Sequence, residues 1–202
     1  MRSAWTNNHE IHRTRVISTL EGRSLDSFES IVRTIFENKG YWVKTNLKVD
    51  LTKEEKLKIG RPSSPRWELD VVAYKGGSKE ILVIECKSYL DSPGVKADGL
   101  KNGKYKDRYK LFNEETLRDV VFNRLQTQLV ESGSCSEDTN VKLCLASGKV
   151  ASKADREELS EYFNTKGWNF YSDEWIKNEL INLSNSGYEN EVAIVTTKIL
   201  TR

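Results

Sequence analysis

Asp70 is separated from Glu85 by 14 residues, and Lys87 follows Glu85 with one residue, Cys86, between them. Residues two apart on a strand share a face, so Glu85 and Lys87 point one way and Cys86 the other. The apolar run Ile81-Leu82-Val83-Ile84 leads directly into this charged end. Burying that run sets both charges at the rim of the core, where each costs free energy unless a partner or a metal satisfies it. A hairpin brings Asp70 beside Glu85, which gathers two carboxylates and one ammonium at a sheet edge. Two hard carboxylate ligands, with water and phosphate oxygens, suit Mg2+. A lysine beside such an ion holds or polarises an attacking water and offsets charge on phosphoryl oxygens. The chemistry this implies is hydrolysis of a phosphodiester. Asp70 and Glu85 are the expected metal ligands, and the carbonyl of Cys86 is a further one. Mn2+ would satisfy the same ligands.

The elements that must position these groups can be read outward from them. Residues 66–74 (RWELDVVAY) and 80–87 (EILVIECK) read as two strands, joined by the turn Lys75-Gly76-Gly77-Ser78. Residues 41–49, rich in aromatic and β-branched types, read as a strand before them. Leu25, Phe28, Ile31, Val32, Ile35 and Phe36 recur at helical steps and predict a helix over 24–39, with Ser24 as its N-cap and Gly40 as its stop. Residues 52–65 hold charges, Gly60, Pro62 and Pro65, and read as a loop. Residues 88–110 read as a long polar connection. Leu117, Val120, Val121, Leu125 and Leu129 predict a helix over 113–131, and 141–147 a buried strand. A helix over 152–166 stopped by Gly167, a short strand at 168–171 and a helix at 173–183 follow. Residues 190–201 are ambiguous. Val192, Val195, Ile199 and Leu200 favour a helix, the β-branched content favours a strand, and the helix is preferred. This order predicts an α/β fold with a mixed sheet flanked by helices.

The chain has 202 residues, which fits one domain over 1–202, with 1–22 as an N-terminal arm and 148–202 as a C-terminal extension of the same domain. Its 32 Lys+Arg against 30 Asp+Glu exclude a wholly basic binder of histone type, though not a local basic patch. No stretch reaches the ~18 apolar residues of a membrane span, so no membrane partner is expected. The N-terminus lacks the apolar core of a secretory signal. Three unpaired cysteines, Cys86, Cys135 and Cys144, argue against a disulfide framework and fit a reducing cytoplasm. The 2 histidines, His9 and His12, both fall in the arm, which counts against a histidine-based triad or zinc site and leaves carboxylates and lysine to do any chemistry.

Asp70 followed across a hairpin by Glu85-Cys86-Lys87 resembles the PD-(D/E)XK nuclease superfamily, the restriction-endonuclease-like fold. Its αβββαβ core is similar to the order read over 24–147, with the later helices as C-terminal additions. The resemblance implies a metal-dependent deoxyribonuclease in which Asp70 and Glu85 hold Mg2+ and Lys87 assists the nucleophilic water. Many members add a glutamate from the first helix, which here corresponds to Glu29. The residue before Asp70 is Leu69, where the superfamily pattern has a poorly kept proline. Glu68 shares a face with Asp70 and is an extra ligand or supports one. Gln126 lies where relatives of RecB type place a glutamine that steadies the site.

Basic residues flank the motif on both sides. Lys101, Lys104, Lys106 and Arg108 alternate with Tyr105 and Tyr109 after it, and Arg61 and Arg66 precede it. Basic side chains bind phosphates and tyrosines stack on bases, so both segments are expected to contact DNA. Cutting both strands in one encounter needs two sites, and one such chain has one, so a homodimer is the expected assembly. Three other readings stay open. A structure-selective junction or repair nuclease, or an RNA nuclease, would use the same site. A nucleic-acid-binding module of the same fold would not cut. An unrelated α/β protein would carry the triad by chance.

Overall fold

The computed structural model describes residues 26–185, 187 and 190–201. The expected arm over 1–22 and the Ser24 cap lie outside the described residues. Thirteen regular elements follow in chain order: α1 (Ser27–Asn38), β1 (Trp42–Val49), α2 (Lys53–Lys58), β2 (Trp67–Lys75), β3 (Glu80–Lys87), α3 (Ala97–Lys101), α4 (Lys110–Asn113), α5 (Glu115–Glu131), β4 (Asn140–Ser147), α6 (Lys153–Lys166), β5 (Asn169–Tyr171), α7 (Asp173–Ser184) and α8 (Val192–Leu200). The strands form one sheet in the order β1-β2-β3-β4-β5, antiparallel from β1 to β3 and parallel from β3 to β5. The fold is therefore α/β, with a five-stranded mixed sheet flanked by helices.

Each face of the sheet buries its own core. On one face Val71, Ala73, Leu82, Ile84 and Cys144 pack under α1, α7 and α8, through Val32, Phe36, Ile176 and Ile194. On the other, Leu69, Val72, Ile81, Val83 and Leu143 pack under α3 to α6, through Leu100, Leu117, Leu125 and Phe163. A large aliphatic or aromatic side chain buried this fully contributes roughly 1.5–3 kcal/mol relative to exposure. The central strands contribute continuous apolar runs because both of their faces are covered.

Several local readings are corrected. The cap of α1 is Asp26, whose carboxylate accepts from the N–H groups of Phe28 and Glu29. The loop over 52–65 contains α2, held by a reciprocal capping box between Thr52 and Glu55. The connection over 88–110 is not simply polar. Val95, Ala97, Leu100 and Tyr109 are buried, and Val95 bridges to Val150 as a short parallel pair. Gly94 makes that contact possible. Its φ is +100°, and a Cβ there would lie 2.9 Å from backbone atoms of residues 149–151. The ambiguous segment 190–201 contains the helix α8. Among the described residues no helix is long and apolar enough to cross a membrane.

Candidate active site

Asp70 owes its position to a change of face in the β1–β2 ribbon. Strict alternation would put Val43 with Leu47, and Leu69 with Val71, on one side of the sheet. Instead Leu47, Val49 and Leu69 pack toward α5, while Val43, Val71 and Ala73 pack toward α1. The switch falls at Asn46 and Asp70, which lie between the paired residues Thr45↔Val71 and Leu47↔Leu69. Asn46 takes φ +51°, a left-handed conformation that asparagine tolerates better than most residues. At the same level the β2–β3 ladder stops, with Val71↔Ile84 its last pair on this side. The strands part there, and the carboxylate of Asp70 bridges the gap. Its Oδ2 accepts from the N–H of Cys86 at 2.8 Å.

Glu85 and Lys87 lie just past this parting. Their Oε2 and Nζ are 3.5 Å apart, and their side chains are 15% and 19% exposed. The Cys86 side chain packs with the core under α1. Glu29 sits in the first turn of α1, and its Oε2 is buried with no hydrogen-bond partner among the described residues. Asp70, Glu85, Lys87 and Glu68 line a cleft of about 650 Å3, whose rim is formed by Trp67, Tyr89, Asp107, Arg108, Lys110 and Leu111. A hollow of about 680 Å3 between β1 and the end of α5 is lined by Trp42, Leu47, Val72, Tyr74 and Leu129. It holds no carboxylate, so the cleft rather than the slightly larger hollow is the candidate site.

The electrostatics are those of too many acids for one ammonium. Burial raises the Glu85 carboxyl from its ordinary 4.5 to about 7, repulsion from Asp70 adds to this, and Lys87 opposes it. Glu29 also rises to about 7, through burial and then the charges of Asp70, Asp26 and Glu68. Asp70 is raised by burial against the pull of Lys87 and the Cys86 N–H. Burial pulls the Lys87 ammonium down, but Glu85 and Asp70 outweigh it and hold it protonated. Burial, reinforced by Asp70 and Glu29, lifts the Cys86 thiol well above its ordinary value, so it is a neutral thiol at neutral pH.

The donor set fits a hard cation. Every side-chain ligand available is a carboxylate oxygen, Glu29 has an oxygen without a partner, and the acids exceed the local positive charge. Among the described residues no three His, Cys, Asp or Glu side chains meet as a ready-made metal cage. The matching mode is that of Mg2+, which takes one or two carboxylates and keeps several waters.

The other expected residues are distributed as follows. Glu68 lines the cleft. Gln126 is not brought to it: its amide donates to the carbonyls of Glu137 at 2.9 Å and Thr139 at 2.8 Å, tying α5 to the turn before β4. One nitrogen of Arg61, Nη2, donates to both carboxylate oxygens of Glu114, and the guanidinium lies over Trp67. Arg66 pairs with Asp50, and Lys101 with Glu158. Lys104 and Arg108 both lie over the ring of Tyr105, and only Arg108 of these cations reaches the cleft. The Lys106 side chain lies outside the described residues. Sequence reasoning missed Tyr89 as a cleft residue; its place two residues after Lys87 was the available signal. Comparison with protein-family models, curated proteins and solved structures returns no match.

Proposed function

We propose that this protein is a metal-dependent deoxyribonuclease with a restriction-endonuclease-like αβββαβ core, of the PD-(D/E)XK type. The observation that carries this reading is the meeting of Asp70, Glu85 and Lys87 in one cleft, where β2 and β3 part. Asp70 and Glu85 would hold Mg2+ or Mn2+, with the Cys86 carbonyl as the further ligand that the motif implies. When bound, the ion supplies a Lewis acid's pull on a phosphoryl oxygen and on the attacking water.

The chain's own residues do the rest. Lys87, kept protonated by Glu85 and Asp70, orients the water and offsets charge gathering on the phosphoryl oxygens. Glu29, with a carboxyl raised to about 7, accepts a hydrogen bond or a proton from water near neutral pH. Arg108 and Lys110 at the rim meet flanking phosphates. A second copy of the chain would supply the second site that a double-strand cut requires.

The test is a cleavage panel of supercoiled plasmid, linear duplex, single-stranded DNA, a four-way junction and RNA. Each substrate is incubated with Mg2+, with Mn2+ and with EDTA, beside Asp70→Asn. Metal-dependent cutting of DNA that the variant lacks is the expected result. Binding without turnover on every substrate would refute the nuclease reading and support a non-cutting nucleic-acid module. A preference for junctions or RNA would redirect it within the same chemistry.

A further inference from the structure

Strand β1 lies at one end of the sheet order and pairs only with β2, so among the described residues no strand lies along its other side. Such an edge is a template for a further strand unless something occupies it. One end of it is completed from within the fold. The side-chain amide of Gln128 donates to the Lys48 carbonyl and accepts from the Asp50 N–H, both at 3.1 Å. A group that donates and accepts at once does there what the peptide groups of a paired strand do. Asn46, with φ +51°, separates this completed end from the stretch Trp42–Thr45.

That stretch borders the apolar hollow of about 680 Å3. Trp42 and Lys44 pair across to Tyr74 and Val72, and all four residues line it. Trp42 is 85% exposed, a large apolar side chain left in water beside an apolar recess. A second hollow of about 550 Å3 shares Lys44, Leu47, Leu129 and Ser134 with the first, so the two form one groove along the edge. Asp50 is the one acid among the described residues that line this groove, and Arg66 pairs with it. β1 itself carries Lys44 and Lys48 and no acid, and neither ammonium forms an ion pair among the described residues.

A second copy of β1 laid along this edge would add lysines to lysines, and like charges on neighbouring strands repel. A strand rich in carboxylates would meet both lysines instead. We propose that the free edge of β1 docks an extended acidic segment of a partner protein. The segment adds a strand beside Trp42–Thr45, with an apolar side chain in the hollow against Trp42 and a carboxylate beside Lys44. Main-chain hydrogen bonds give such a complex its affinity, and alternate side chains give it specificity. The inference uses no residue of the cleft and stands apart from the nuclease reading.

The experiment selects random peptides displayed on phage against the full chain, and the most enriched sequence is synthesised. Its affinity is measured by fluorescence anisotropy for the parent, Trp42→Ala and Lys44→Glu, with thermal melting of each protein; Lys44→Gln replaces Lys44→Glu if the latter melts early. Two further forms of the peptide are each N-methylated at alternate backbone amides. The expected sequence alternates apolar and acidic residues. Each substitution is expected to weaken its binding by about tenfold or more at an unchanged melting temperature. Only one of the two methylated forms should lose binding, because alternate amides of an added strand face the sheet. The proposal is overturned if no sequence is enriched, if the enriched sequences lack acids, if both lysine and tryptophan variants bind as tightly as the parent, or if the two methylated forms bind alike. Sedimentation of the chain alone as a dimer that Trp42→Ala dissolves would overturn it in favour of a second copy. Displacement of the peptide by a single-stranded oligonucleotide would overturn it in favour of nucleic acid.

Discussion

Glu85→Gln tests the charge imbalance of the cleft with no substrate at all. In the folded chain the Glu85 carboxyl is raised from 4.5 to about 7. Between those pH values the folded state binds more protons than the unfolded state, so this group makes stability fall as pH rises. Its cost is absent below about pH 4.5 and complete above about pH 7. One pKa unit corresponds to about 1.4 kcal/mol, so the window carries about 3 kcal/mol. For a chain of this size that corresponds to roughly 6–12 °C in melting temperature. Glutamine keeps the shape and cannot titrate. Urea unfolding followed by tryptophan fluorescence in EDTA, at steps from about pH 4.5 to 8, measures both proteins. The stability of Glu85→Gln relative to the parent should climb by about 3 kcal/mol across the series. Added Mg2+ should flatten the decline of the parent and leave the variant unaffected. Parallel curves for the two proteins in EDTA would refute the argument that Glu85 is held against its preferred ionisation.

The remaining predictions concern residues with separable roles. Lys87→Ala should abolish cleavage while circular dichroism and cooperative unfolding stay intact, and normal activity in this variant would sink the mechanism. Gln126→Ala leaves two carbonyls without their donor and should cost about 1–2 kcal/mol by urea unfolding; a large loss of cleavage per folded molecule would return Gln126 to the site. Arg108→Ala should weaken DNA binding about equally across sequences and reduce the salt dependence of affinity by about one counterion. Gly94→Ala should destabilise by about 2 kcal/mol or more and expose 88–110 to limited proteolysis, since its Cβ would meet the backbone of 149–151.

The sheet was legible wherever burial imposes a pattern. The run Ile81–Ile84 ends in charges because the strand leaves the core there, and alternation within Glu85-Cys86-Lys87 correctly separates the cysteine from the two charges. The Gly167 stop of α6 follows from its left-handed φ of +71°. What was hidden depended on contacts distant in sequence. Helix α2 buries no residue, so it has no apolar stripe to read and rests on its Thr52–Glu55 cap. The face switch at Asn46 breaks the two-residue period it interrupts, so no period could reveal it. Gln126 looks like a site residue by position along its helix, and only the turn at 137–139 shows where its amide goes.

The strap across Val95 also bears on when the cleft comes into being. The carboxylates sit on hairpin strands that can pair as soon as residues 42–87 exist. The rim that faces them is fastened much later in the chain: Val95 to residues 149–151, and the Ala97 N–H to the carboxylate of Asp155 at 2.9 Å. During synthesis, which proceeds from the N-terminus, the acids are therefore laid down before the wall that encloses them can be anchored. Until α6 has left the ribosome, Asp70 and Glu85 on their strands, and Glu29 in α1, face a rim that is not yet anchored. The raised carboxyls and the shielded lysine are properties of the completed chain. On the proposed function, competence to cut would arise only once the C-terminal half has folded.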